Sequence, residues 1–166
     1  WRSQTKCNHG RDKEIGEQMT PGQLDPRGPR FGAGITSVLM LLVIYFSLEP
    51  ATVPIAVGIL AFSVVMFTFG STVGPAKHPF SYLYKFTLRK FLKEPTYLEP
   101  AKPVHFAQVI GLVVTGSGLV LHLLSVPNAL PISAALAFLA AFVNAVFAYC
   151  IGCQMYLGLK RLGVIR

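Results

Sequence analysis

Four apolar runs, at about 31–48, 52–73, 104–124 and 132–157, contain no Asp, Glu, Lys or Arg. Each is close to the twenty or so mostly apolar residues that a helix needs to cross a bilayer at about 1.5 Å per residue. The pattern predicts four membrane-spanning helices. The first run follows some thirty polar, Gly- and Pro-containing residues and lacks the position and small-residue cleavage site of a removable signal peptide, so it is expected to stay as a span. Between the second and third runs, Phe80, Leu83, Tyr84, Leu88, Phe91 and Leu92 recur at helical spacing, while Lys85, Arg89 and Lys93 recur on another face. An interfacial amphipathic helix at about 79–94 is expected there, bracketed by Pro79 and Pro95.

Composition agrees with this layout. Of 166 residues, 52% are hydrophobic and 13% charged, and the mean hydropathy of +0.53 is too apolar for an ordinary soluble domain. The net charge of +8 would suit a nucleic-acid binder if the cations formed a patch. They fall instead in three stretches between or outside the apolar runs. Arg2, Lys6, Arg11, Lys13, Arg27 and Arg30 precede the first span; Lys77, Lys85, Arg89, Lys90, Lys93 and Lys102 lie in the middle connection; Lys160, Arg161 and Arg166 follow the last. The other two connections, around Glu49-Pro50 and Val126-Pro127-Asn128, have none. Positive residues are retained on the cytoplasmic side, so both termini are expected in the cytoplasm of a bacterial inner-membrane protein. Anionic lipid, and no nucleic acid, then accounts for the charge. The expected fold is an all-α integral membrane protein with a tail at 1–23, a membrane domain at 24–160 and a short cytoplasmic tail at 161–166.

The lead-in Leu24-Asp25-Pro26-Arg27-Gly28-Pro29 recurs as Leu98-Glu99-Pro100-Ala101-Lys102-Pro103 before the third span. Each copy leads into a two-helix hairpin. Two hairpins in the same orientation, related by an axis along the membrane normal, are expected, which disfavours inverted-repeat transport. An acidic residue and a Pro near a helix start also suit the positive dipole end and preset φ without any further role.

Cys150-Ile151-Gly152-Cys153 is the most specific local motif. On a continuous fourth helix the two thiols share a face and could exchange electrons, carry a persulfide or ligate a soft metal. On such a helix they also lie near its C-terminal end, where the dipole disfavours thiolate, as do apolar surroundings unless Lys160 or Arg161 comes close. Helical Cβ atoms three residues apart are too wide for an unstrained disulfide, so a bond would be easily reduced or would need the helix to open at Gly152. Cys7 and His9 could complete a Cys3His zinc set only if the N-terminal tail folded back, and their spacing is no standard knuckle, so no metal is assigned. His105 and His122, seventeen residues apart on one helix, would lie about 25 Å from each other and cannot clamp one haem.

The intramembrane polar candidates are Gln108, His122 and Asn144. Gln108, Gly111, Thr115, Gly118 and His122 form one stripe of the third span; Ser133, Ala137, Ala141, Asn144 and Ala148 form one of the fourth. Such stripes imply tight helix packing. On a continuous fourth helix the cysteines lie some 120° to 180° from Asn144, so the two faces are not expected to meet the same interior.

The ending Phe147-Ala148-Tyr149-Cys150-Ile151-Gly152-Cys153-Gln154-Met155-Tyr156 resembles the C-x-G-C-x-x-Y ending of a family of small bacterial integral membrane proteins catalogued as a domain of unknown function. Asp25-Pro26-Arg27-Gly28-Pro29-Arg30-Phe31 and Phe106-Ala107-Gln108-Val109-Ile110-Gly111-Leu112 resemble its other signatures, so the likeness runs from about 24 to 160 and excludes Cys7 and His9. It implies sulfur or thiol metabolism by association with thioredoxin-like proteins and sulfurtransferases, and marks Cys150, Gly152, Cys153 and Tyr156 as motif positions. The expected function is a membrane thiol-redox or sulfur-relay protein, with Cys150 and Cys153 as carriers, Gly152, Tyr156 and Lys160 in support, and a cytoplasmic thioredoxin-like or sulfurtransferase partner. A non-catalytic accessory subunit of a larger complex, homo- or hetero-oligomeric, and a small-solute transporter are the alternatives. No quinone motif is present, and the cofactor, like the question of whether this is an enzyme, stays open.

Overall fold

The computed structural model describes residues 23–74, 79–87 and 99–163. Its elements are a two-residue strand β1 (Gln23–Leu24), α1 (Arg27–Phe46), a single 3-10 turn (Pro50–Thr52), α2 (Val53–Thr72), α3 (Pro79–Thr87), a second two-residue strand β2 (Glu99–Pro100), α4 (Ala101–Leu123), α5 (Ala129–Phe147) and α6 (Ile151–Arg161). Cys7 and His9, and the part of the expected interfacial helix beyond Thr87, lie outside the described residues.

Four helices are long and apolar enough to cross a membrane: α1, α2 with its preceding 3-10 turn, α4 and α5. They close into a ring in chain order, each packed on the next and α5 back on α1. Leu41, Val65, Phe69, Val113, Val120 and Leu139 face outward. In water that surface would be an aggregation hazard, whereas in lipid it is the solvated face. The chain is a multi-pass membrane protein.

Local chemistry sets the helix ends. Asp25 Oδ1 accepts the Arg27 N–H at 3.0 Å, satisfying one of the amides left without a partner at the start of α1. At its other end, the Thr52 hydroxyl donates to Phe46 O at 2.8 Å and ties α1 to the turn leading into α2. After α4, Ser125 takes a left-handed conformation with φ 61°. Ser125 N–H donates to His122 O and Val126 N–H to Leu121 O, the paired bonds of a Schellman stop.

The packed core lies toward these two short turns, where Met40, Val43, Ala56, Leu60 and Ala134 are fully buried. Thr115 is also fully buried and Gly118 packs directly on Ser133. The stripes read from the sequence are therefore used, at this end, between helices of one chain.

The fourth apolar run differs from its expected form. Instead of one helix through 157, α5 stops at Phe147, Ala148 turns left-handed (φ 57°, ψ 25°), and Cys150 is extended (φ −83°, ψ 106°) at the head of α6. A non-glycine residue in that left-handed region costs about 1–2 kcal/mol. The break has no Gly or Pro to announce it.

Candidate thiol site

Because the helix is broken, the cysteine pair sits at an N-terminus. Cys150 is the N-cap of α6, and its Sγ accepts the Cys153 N–H at 3.3 Å. The dipole expected from a continuous fourth helix is thereby reversed: the positive end of α6 faces Cys150 and favours negative charge on its sulfur. Lys160 and Arg161 lie in the last turn of α6, about 15 Å along its axis from Cys150 by the helical rise. They complement the dipole at that end and leave the thiols to the helix head.

Gly152 has a role other than opening the helix. A Cβ built on it would lie 2.7 Å from both Cα and Cβ of Ala107, so α6 rests here on the α4 backbone at a distance only glycine allows. One turn on, the rings of Tyr156 and Phe106 meet with centroids 5.7 Å apart. Gly152 and Tyr156 therefore dock the cysteine helix onto the first turns of α4.

The same break changes what the pair faces. Cys150 and Cys153 line a cavity of about 370 Å³ together with Gln108 of α4 and Asn144 of α5. The expectation that Asn144 and the cysteines could not share an interior holds for a straight helix and fails here, since the turn at Ala148 redirects the chain. His122 lies elsewhere, in the last turn of α4. His105 Nε2 is 2.7 Å from Ser71 O, a contact that joins the start of α4 to the end of α2.

Most lining residues are apolar, and the hydroxyls of Thr36 and Ser63 among them, with Thr115 nearby, are satisfied within their own helices. Thr36 donates to Gly32 O at 3.0 Å, Ser63 to Ile59 O at 2.9 Å and Thr115 to Gly111 O at 2.8 Å. Gln108 is different. Its Oε1 is buried with no hydrogen-bond partner among the described residues, a state that costs about 1–3 kcal/mol when nothing else fills it. Its amide lies over Gly70 of α2, where an added Cβ would sit 2.8 Å from Cδ and Oε1.

Two further lining residues escaped the sequence reading as site candidates. Arg30, in the first turn of α1, and Phe80, on α3, both contribute to the lining. The Asp25-to-Phe31 signature carried the first; nothing in the hydropathy marked either as facing the cysteines. α3 is held on α1 by Phe80 against Gly32 and Tyr84 against Gly28. The Tyr84 hydroxyl lies 3.4 Å from Asp25 Oδ2, and burial, then the Asp25 charge, raise its pKa above the usual tyrosine value, with Arg27 opposing.

Fold and site together define a helical multi-pass membrane protein with a cysteine pair in the lining of a cavity between its helices. The family described as a domain of unknown function, DUF4395, matches residues 24–161, and the chain belongs to it. No curated protein and no solved structure matches the chain.

Proposed function

We propose that the protein is a membrane thiol oxidoreductase whose working group is the Cys150–Cys153 pair. The observation that carries this reading is the position of Cys150 as N-cap of α6, with the Cys153 amide on its sulfur. A thiolate stabilised there is the attacking nucleophile, and the second thiol one turn away resolves the mixed disulfide. In the exchange, a partner's thiolate attacks the Cys150–Cys153 disulfide at Cys150 and Cys153 leaves as thiolate. The partner's second thiolate then attacks its own sulfur in the mixed bond, which leaves the partner oxidised and this pair reduced. The same chemistry runs in reverse.

The proposed orientation puts both termini, the cysteine pair and the basic residues at the cytoplasmic face of a bacterial inner membrane, where a thioredoxin-like or sulfurtransferase partner can dock. The proposed hairpins share one direction about an axis along the membrane normal. In support, β1 and β2 pair antiparallel as Leu24 with Glu99 and Gln23 with Pro100, a register that exchanging the two lead-in copies maps onto itself.

Thiol-specific mass tagging across graded redox buffers, with metal analysis of the same sample, tests the proposal. Cys150 and Cys153 are expected to lose their tags together at one midpoint, and Cys150→Ser or Cys153→Ser to abolish that step. A pair that stays tagged at every potential overturns it, and a persulfide mass on Cys150 would assign the pair to sulfur relay instead.

A further inference from the structure

We infer that the cavity beside the cysteine pair binds the ring of a lipid-soluble quinone, which takes the electrons of the Cys150–Cys153 dithiol. This rests on the thiol-redox reading and names its second substrate.

Three observations converge on the class of ligand. The cavity's volume of about 370 Å³ falls at the lower end of the range for small-molecule sites, roughly 300–1,000 Å³. All four spanning helices contribute to its mostly apolar lining, which suits a ligand arriving from the bilayer better than an ionic sulfur compound from water. The polar residues are the minority of the lining: Gln108 from α4, Asn144 from α5, Arg30 from α1, Gln154 and the two thiols at the head of α6, and the hydroxyls of Thr36, Ser63 and Ser81. Gln108 is the informative one. Its oxygen has no hydrogen-bond partner among the described residues, whereas Thr36 and Ser63 are satisfied within their own helices, so the half-buried Gln108 side chain keeps hydrogen-bonding capacity that a ligand could use. A carboxamide carries both an acceptor oxygen and a donor NH2, so the same group can donate to a quinone carbonyl or accept from the quinol hydroxyl. It therefore suits both redox forms of one ring.

The stoichiometry matches as well. Oxidation of the dithiol forms one S–S bond and releases two electrons and two protons. A quinone ring accepts two electrons and two protons on its two oxygens and leaves as the quinol, so no other oxidant is required.

The test uses the full chain reconstituted in phospholipid nanodiscs, reduced, and mixed anaerobically with decylubiquinone, whose fully substituted ring offers no hydrogen-bearing carbon for thiol addition. One quinone is expected to be reduced per dithiol, with loss of both cysteine tags. Gln108→Leu is expected to weaken quinone binding about fivefold, as loss of one neutral hydrogen bond would, and Ala141→Phe, which fills the cavity, to weaken it further. A dithiol that titrates in soluble thiol buffers yet neither binds nor reduces the quinone overturns this inference and leaves the thiol-redox reading standing. A dithiol that titrates with neither overturns both. Quinone reduction that is unchanged in Gln108→Leu and Ala141→Phe moves the reaction out of the cavity and also overturns the inference.

Discussion

Near the two short turns, Gly118 of α4 lies so close to Ser133 of α5 that no Cβ fits between the helices. A few turns away, Gln108 of α4 and Ala141 and Asn144 of α5 line a cavity of about 370 Å³. One pair of helices thus runs from a jigsaw at one end to a hollow at the other. In lipid, helices associate through close packing rather than hydrophobic exclusion, so the packed end holds the ring together and the hollow end can be given to chemistry. The hollow end also carries left-handed Ala148, as the packed end carries left-handed Ser125 and Asn128, and it holds the Gln108 oxygen that has no hydrogen-bond partner among the described residues. Open space and an unsatisfied polar atom coincide at this end.

That comparison is broken most severely by Gly152→Ala. The added methyl meets the backbone of Ala107, which has no side-chain end to yield. A cost of about 1–3 kcal/mol is expected to fall on the docking of α6, so thiol exchange should drop far more than the melting temperature of the bundle. Equal loss of both would mean that α6 is part of the packed end.

Enlarging substitutions at the two ends should next differ in sign. Gly118→Ala, against Ser133, is expected to destabilise by about 1–3 kcal/mol in thermal unfolding. Ala141→Val, into the cavity, is expected to stay within about 1 kcal/mol of the natural chain, on the stabilising side. Ala148 gives a smaller effect. Ala148→Gly should stabilise by about 1 kcal/mol by relieving the left-handed residue, and Ala148→Val should destabilise by a similar amount or more.

The smallest effect is pH-dependent. Because the Tyr84 pKa is raised, the stability it lends the α3 contact is fully present below about pH 10 and is lost as the pH climbs past that value. Protease susceptibility around α3 should rise there in the natural chain and stay flat in Tyr84→Phe.

The four spans were legible because hydrocarbon tolerates only closed backbone hydrogen bonding and apolar surface, and both leave a long uncharged run. Pro79 likewise marks the start of α3. The break at Ala148 was hidden by the same logic. Phe147, Ala148, Tyr149 and Ile151 continue the apolar run without punctuation, and a left-handed alanine is a tertiary outcome with no compositional trace. Reading on through the break reversed the dipole at Cys150 and turned the pair away from Asn144. Motif spacing singled out the two sulfurs, and continuous-helix geometry gave them the wrong surroundings. Gly152 was noticed as a place for the helix to open, when its lack of a side chain instead serves contact with Ala107.

The central claim is that Cys150 ends one backbone conformation and begins another. Selective 13C labelling of cysteine in the reconstituted protein reads this directly from the Cα chemical shifts, with few resonances to assign. Cys150 is predicted to show an extended-type shift and Cys153 a helical one. Helical shifts at both positions would restore a continuous fourth helix and contradict the account.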